Sequence, residues 1–343
     1  MKKLLNTLFV TTEGAYLRKK RETLVVEINN ETALKLPLIA LSNIYCIGRI
    51  NMSPAFMHHC LKLGIGIAFF SIYGRFMARV QGPKSGNVLL RRQQYRWADD
   101  EEHSADISRY IIGAKISNSR NVLQRVLRNK TDLVGRDEVK SAIARLYFSL
   151  KQVQNNGDLN VLRGIEGDAA NIYFGVYDRL ITSQKETFSF AGRNRRPPRD
   201  AVNAMMSFLY AIILQDCVSA LEGVGLDSYV GFLHRDRPGR QSLALDMMEE
   251  FRAMMGDRLV LSMINRNQVS ADEFEVSENG AVCVGDKVKK KILAEYQSRK
   301  QDEIVHPVIG EKVKIGLLFH VQAMLLSRHI RGELDFYPAF IWR

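Results

Sequence analysis

GFLHRDRPGRQSLALDMMEEF, residues 231–251, falls into two pieces of opposite character. The first carries a lone histidine, His234, followed by Arg235, Arg237 and Arg240. Pro238-Gly239 breaks the backbone, and from Ser242 onward the spacing is helical. At about 100° per residue, Asp246, Glu249 and Glu250 share one face, with Ala244, Met247, Met248 and Phe251 on the other. Burial alone produces such a pattern, and most acidic outer faces are simply solvated. The same residues also bring one imidazole, two or three carboxylates and three guanidiniums into one short segment. That is the chemistry of metal ligation and phosphate contact.

A second helical pattern, LRGIEGDAANIYFGVYDRLI at 162–181, sets Glu166, Ala170, Tyr173 and Tyr177 along one stripe. A carboxylate, then a small residue, then tyrosines describes the wall of a polar cleft better than a core face. The 3.6-residue period governs most of the chain after residue 87. It predicts helices at 88–97, 107–127, 137–154, 162–182, 202–221, 242–255, 287–301 and 313–331. Residues 259–284 read as irregular with short strands. Between two of these helices lies SFAGRNRRPPR at 189–199, with Arg193, Arg195, Arg196 and Arg199. It is either a solvated connection or a set of phosphate contacts before the helix that carries Asn203.

Upstream the period is different. Residues 4–11, 15–19, 23–28, 33–37, 64–70 and 75–80 read as short strands punctuated by Glu13-Gly14 and Asn29-Asn30. Ser53–Leu63 is the exception, a helix with a Ser cap and Pro54 at its first position. His58 and His59 stand about 100° apart on it, with no carboxylate at helical spacing, and read as non-ligands. GPKSGN, at 82–87, is the expected linker. The fold class is therefore α+β: a β-rich N-terminal domain at 1–82, a linker at 83–87 and a mainly helical C-terminal domain at 88–343.

The 343 residues are 46% hydrophobic and 25% charged, an ordinary globular composition. Lys and Arg number 49 against 37 Asp and Glu, a net charge of +12 that favours a polyanionic partner. Residues 1–86 hold 12 basic and 4 acidic side chains, so +8 of that charge lies in the first quarter. Cys46, Cys60, Cys217 and Cys283 are scattered with no CxxC pair, which argues against a zinc ribbon or disulfide scaffold and for a reducing cytoplasm. The start has no secretory pattern. The apolar run at 204–214 is the length of a buried helix and too short to span a bilayer.

GxGxxG, GxxxxGK[ST] and GxSxG are all missing, so dinucleotide, P-loop and α/β-hydrolase chemistry lack support. What remains is Glu166, His234 and the acidic face at 246–250. An oxygen/nitrogen donor set that leaves positions open suits Mg²⁺ or Mn²⁺. Beside arginines in a basic chain, the natural substrate is a phosphodiester.

RGIEGDAANIYF, RPPRDAVNAMMSFLYAIIL and GFLHRDRPGRQSLALDMMEEFR, in that order, resemble the CRISPR-associated integrase/endonuclease family, the subunit that captures new spacers. The likeness covers nearly the whole chain and looks closest to the type I-C form. It implies that Glu166, His234 and Glu249 are the catalytic metal ligands, with Glu249 standing where many relatives have aspartate. Asp246 matches a second acidic position, and Glu250 is the alternative to Glu249. Asn203 and the arginines match a segment close to the site, making Arg193, Arg195, Arg196, Asn203, Arg235, Arg237 and Arg240 the expected DNA contacts. The resemblance further implies joining of a 3′-OH to a repeat by transesterification, and cleavage of branched DNA. It implies a homodimer formed through the N-terminal domain. It also implies a small ferredoxin-like partner that completes a heterohexamer on double-stranded DNA. A general structure-specific nuclease and a non-catalytic DNA-binding scaffold are the competing readings.

Overall fold

The computed structural model describes residues 6–71, 76–80, 82, 87–194 and 197–342. It divides into two compact units, residues 1–86 with 293–302, and residues 87–292 with 303–343. Arg195, Arg196 and most of the expected linker lie outside the described residues.

The first unit holds two four-stranded sheets. In one, β1 (Asn6–Val10), β5 (Leu41–Ile47) and β7 (Gly66–Phe70) run parallel, and β8 (Phe76–Val80) closes the edge antiparallel. In the other, β2 (Tyr16–Lys20), β3 (Thr23–Ile28) and β4 (Glu31–Pro37) form an antiparallel meander, and β6 (Asn51–Met52) joins β2 in parallel. Strand β5 has no alternating signature in the sequence because it is the inner strand between β1 and β7. Ile44, Tyr45 and Cys46 are all buried on it, as expected for a strand covered on both faces. Helix α1 (Pro54–Lys62) crosses back to β7, and its Ser53 hydroxyl accepts from the Phe56 N–H at 3.2 Å. Leu17, Leu24, Leu38, Ile44, Phe56, Cys60 and Ile67 make the core of this unit. His59 pairs with Glu22 at 3.0 Å rather than with a metal-ligand set.

The second unit is helical. It contains α2 (Val88–Asp99), α3 (Glu101–Asn129), α4 (Arg136–Gln154), α5 (Leu159–Gly175), α6 (Ala201–Gly223), α7 (Ser242–Phe251) and α8 (Arg258–Asn265). It is completed by α9 (Asp286–Gln301), whose second half belongs to the first unit, and by α10 (Ile315–Ile330). Two small hairpins, β9 (Phe274–Val276) with β10 (Val282–Val284) and β11 (Glu303–Val305) with β12 (Lys312–Lys314), connect them.

Three elements depart from the expected pattern. Helix α5 stops at Gly175, and Tyr177 falls in a 3₁₀ turn, Tyr177–Leu180. The stretch after 257 begins with helix α8 instead of irregular chain. A π-helical turn, Arg252–Asp257, joins α7 to α8; such turns are frequent at functional sites. Gly256 permits it, since a Cβ there would lie 2.7 Å from Cε1 of Tyr210. Helix α6, at 23 residues, matches the expected 202–221 and extends well past the apolar run at 204–214; by length and apolar composition it could cross a membrane. Its apolar window is nevertheless 78% buried inside the protein.

Candidate metal centre

The site is built from α3, α5, α7 and the loop 231–234. The N-cap of α5 is Asp158, whose carboxylate accepts from the N–H groups of Asn160 at 2.7 Å and Val161 at 2.9 Å. That start aims Glu166 inward, while Tyr173 and Tyr177 of the same stripe are buried in the core. The expected polar wall is thus one carboxylate followed by two core tyrosines. The loop 231–234 approaches α7 closely, and Gly231 is what allows it. A Cβ at Gly231 would sit 2.7 Å from the Ser242 carbonyl carbon and 2.8 Å from Oδ2 of Asp246.

Helix α7 is not amphipathic in the expected sense. Asp246, Glu249 and Glu250 are as buried as Met247 and Phe251, so no solvated acidic face exists. A buried carboxylate needs partners, and each of the three has a different set. Asp246 holds the histidine loop. Its Oδ2 accepts from the N–H groups of Phe232 at 2.7 Å and Leu233 at 3.0 Å, and its Oδ1 from the His234 N–H at 3.0 Å. Nδ1 of His234 lies 2.6 Å from the same Oδ1. Against an ionised acceptor, Nδ1 carries the ring proton, which leaves the Nε2 lone pair available. Asp246 therefore positions His234.

Glu250 faces the other way. It accepts from Tyr337 at 2.5 Å, Gln322 at 2.9 Å and the Phe340 N–H at 2.6 Å. Burial pushes its carboxyl up to about 7, with the Phe340, Tyr337 and Gln322 bonds holding it down only in part. It anchors the segment 337–340 and takes no part in the candidate site.

Glu249 meets Glu166 across Lys115 of α3. The Lys115 ammonium contacts Oε1 of Glu166, and it lies 2.9 Å from Oε2 of Glu249. The second oxygen of Glu249 pairs with Arg252 at 3.0 Å. Burial alone would raise the Glu249 carboxyl, but the charges of Arg252, Lys115 and His234 together hold it well below the usual range. Arg252 lies over the Tyr210 ring, 4.8 Å from its centroid. The centre is graded in exposure, with the Glu166 and His234 side chains 26% and 20% exposed and Glu249 only 3%.

Among the described residues, no three His, Cys, Asp or Glu side chains close on one point, because Lys115 stands between the two glutamates. Two observations nevertheless fit a divalent cation there. A cationic group already sits between the carboxylates, and Oε2 of Glu249, buried, receives no directed hydrogen bond from it. The donor set of two carboxylates and an imidazole suits Mg²⁺ or Mn²⁺.

The expected DNA contacts separate into two groups. Arg235 and Arg237 are exposed and Arg240 is half-buried, all on the loop that follows His234. Arg235 donates to Oδ1 of Asn160 at 3.1 Å. Asn203 is fully buried. Its Oδ1 accepts from Arg193 at 2.5 Å and from the Asn194 N–H at 3.1 Å, and its Nδ2 donates to the Gly192 carbonyl at 2.9 Å. Asn203 and Arg193 thus brace the basic loop on α6. Lys115 and Arg252 went unread in the sequence. The signal for Lys115 is a lysine inside the otherwise apolar run YIIGAKI, and for Arg252 a basic residue one helical turn after Glu249.

The family model for CRISPR associated protein Cas1 matches residues 8–298. CRISPR-associated endonuclease Cas1 1 of Chlorobaculum tepidum is 49% identical over 343 residues, covering 100% of both chains. Two solved structures share the fold. A casposase bound to integration product has a TM-score of 0.84 at 20% identity, over 99% of this chain and 95% of that one. A chain of a Cas6-RT-Cas1–Cas2 complex has a TM-score of 0.81 at 21% identity, over 98% of this chain and 36% of that one. With most of its length matched by the family model and a full-length relative at nearly half identity, this chain belongs to the Cas1 family of CRISPR-associated endonucleases.

Proposed function

We propose that this endonuclease integrates new spacers, joining the 3′-OH of a short double-stranded DNA fragment to the repeat of a CRISPR array. The observation that carries the site assignment is the convergence of Glu166 and Glu249 on a single cation, beside a histidine whose Nδ1 is held by Asp246. Membership of the family supports dependence on a divalent metal; Mg²⁺ or Mn²⁺ held by Glu166, Glu249 and His234 is the finer proposal. Such an ion would polarise the phosphoryl oxygen and stabilise charge on the attacking and leaving oxygens.

The chain's own residues do the rest. Asp246 fixes the His234 tautomer, and Arg252 fixes the Glu249 carboxylate through the oxygen that faces away from Lys115. Arg235 and Arg237 stand in solvent next to His234, where guanidiniums can contact phosphates on the approaching duplex. In the reaction a bond forms between the fragment's 3′-oxygen and a repeat phosphorus. The bond from that phosphorus to its former 3′-oxygen breaks, and the proton passes from the attacking hydroxyl to the leaving one. Bond count is conserved and no covalent enzyme intermediate is required, so positioning and charge suffice. Cleavage of branched DNA uses the same groups with water as nucleophile.

The partners are proposed on the same basis. The N-terminal unit, with +8 on residues 1–86, serves as a backbone-reading platform and homodimer surface. Two such dimers flank a dimer of a small ferredoxin-like partner in the cytoplasm. The type I-C assignment rests on the motifs alone.

The test is strand transfer with purified protein, Mn²⁺ or Mg²⁺, a 3′-OH fragment and a supercoiled repeat-bearing plasmid, with and without the small partner. Joining at repeat borders is expected, abolished by Glu166→Ala and His234→Ala while DNA binding stays within a few-fold. Cleavage without joining would replace integration by a general nuclease. Wild-type turnover by both variants would overturn the site.

A further inference from the structure

Resting on that metal-site reading, we propose that Lys115 is a built-in competitor for the divalent ion: its ammonium holds the two ligand glutamates together in the metal-free protein and sets how tightly the ion binds. The placement is specific. One turn along α3, Asn118 donates to the carbonyls of Glu250 at 2.8 Å and Phe340 at 2.9 Å, and accepts from the Trp342 N–H at 2.7 Å. Those bonds lock α3 against α7, so Lys115 has a fixed base from which to reach both carboxylates.

The side chain is 13% exposed, and each glutamate offers it one oxygen. Arg252 takes the other Glu249 oxygen, which leaves Oε2 as the oxygen for which metal and lysine compete. The ammonium lies 2.9 Å from that oxygen and donates to Oε1 of Glu166, so an ion entering between the two glutamates must displace it from both. The lysine is not sealed in: its side chain already reaches solvent, so a displaced ammonium can swing outward. The step is an exchange of one cation for another at the same two carboxylates, and no covalent bond changes.

The experiment is Mn²⁺ binding to the full chain, read from the free-ion electron paramagnetic resonance signal, for wild type, Lys115→Met and Glu166→Gln. Lys115→Met keeps the stem and removes the charge. It should bind Mn²⁺ about tenfold more tightly, a modest shift on the affinity scale, and should melt earlier than wild type only when metal is withheld. Unchanged or weaker Mn²⁺ binding by Lys115→Met, with Glu166→Gln weakened, overturns the role of Lys115 and leaves the metal site standing. Wild-type affinity in Glu166→Gln sinks the metal site and this inference with it. A second reading needs no variant. Acetylation of Lys115 by acetic anhydride, followed by mass spectrometry of the wild type, should rise when Mn²⁺ is added. Labelling that does not respond to Mn²⁺ refutes the exchange.

Discussion

Asp246→Asn tests whether the histidine acts through its Nε2. The carboxylate receives four donors, at 2.7 and 3.0 Å on Oδ2 and at 3.0 and 2.6 Å on Oδ1. An asparagine has one oxygen, so whichever way the amide turns, two donors face an –NH₂ group. At about 1.5–3 kcal/mol for each bond to a charged acceptor, the loss is about 3–6 kcal/mol. That is a large part of an ordinary domain's stability but need not exhaust it. The chemical consequence is separate. If the oxygen stays on the Phe232 and Leu233 amides, the –NH₂ group faces Nδ1 and donates to it. The ring proton then moves to Nε2, whose lone pair is no longer available. Losing an orienting partner of a metal-bound imidazole typically costs about 10–100-fold in metal affinity or activity. The assay is Mn²⁺ affinity and strand-transfer rate at a temperature where circular dichroism shows the variant folded. A folded Asp246→Asn protein with wild-type affinity and rate would refute the assignment of Nε2.

The remaining predictions concern the other carboxylate of α7 and the arginine loops. Glu250 has a folded pKa of about 7 against an ordinary 4.5, so between those values the folded state keeps a proton that the unfolded state releases. Stability from this group is therefore present at low pH and is lost as pH rises through that window, at about 1.4 kcal/mol per pH unit, or about 3 kcal/mol in total. Urea unfolding of wild type and Glu250→Gln across the window should show the difference closing in favour of the glutamine; a pH-independent difference would sink the idea. Arg235→Ala with Arg237→Ala should weaken duplex binding for every sequence, and should lower the salt slope by about 0.9 for each phosphate contact removed. Arg193→Ala should instead lower the melting temperature with the slope intact, because its guanidinium is spent on Asn203, Asn194 and Ser207. An unchanged slope in the double variant would remove the loop from the DNA path.

Periodicity reads elements well and reads the partners of buried charge badly, and α7 shows why. Its spacing announces a helix, and Ser242–Phe251 is one. The inference that charged residues face water fails because water is not the only medium that can satisfy a carboxylate. Asp246 is satisfied by a loop 12 to 14 residues upstream, Glu249 by Lys115 and Arg252, and Glu250 by Gln322 and the 337–340 segment. Only the Arg252 contact lies within helical reach of its partner. The others depend on how α3, α10 and two loops are brought together, and no local window holds that information. The same limit hides strand β5, which is covered on both sides and so lacks alternation, and it hides the internal duty of Asn203. What the sequence does announce is chemical type: an imidazole and carboxylates too concentrated for a bland surface. Three carboxylates on one short helix thus serve three separate ends, of which only Glu249 meets Lys115 and Arg252. Substitution at 246, 249 and 250 should accordingly fail in three different ways, through imidazole orientation, cation binding and the anchoring of the 337–340 segment.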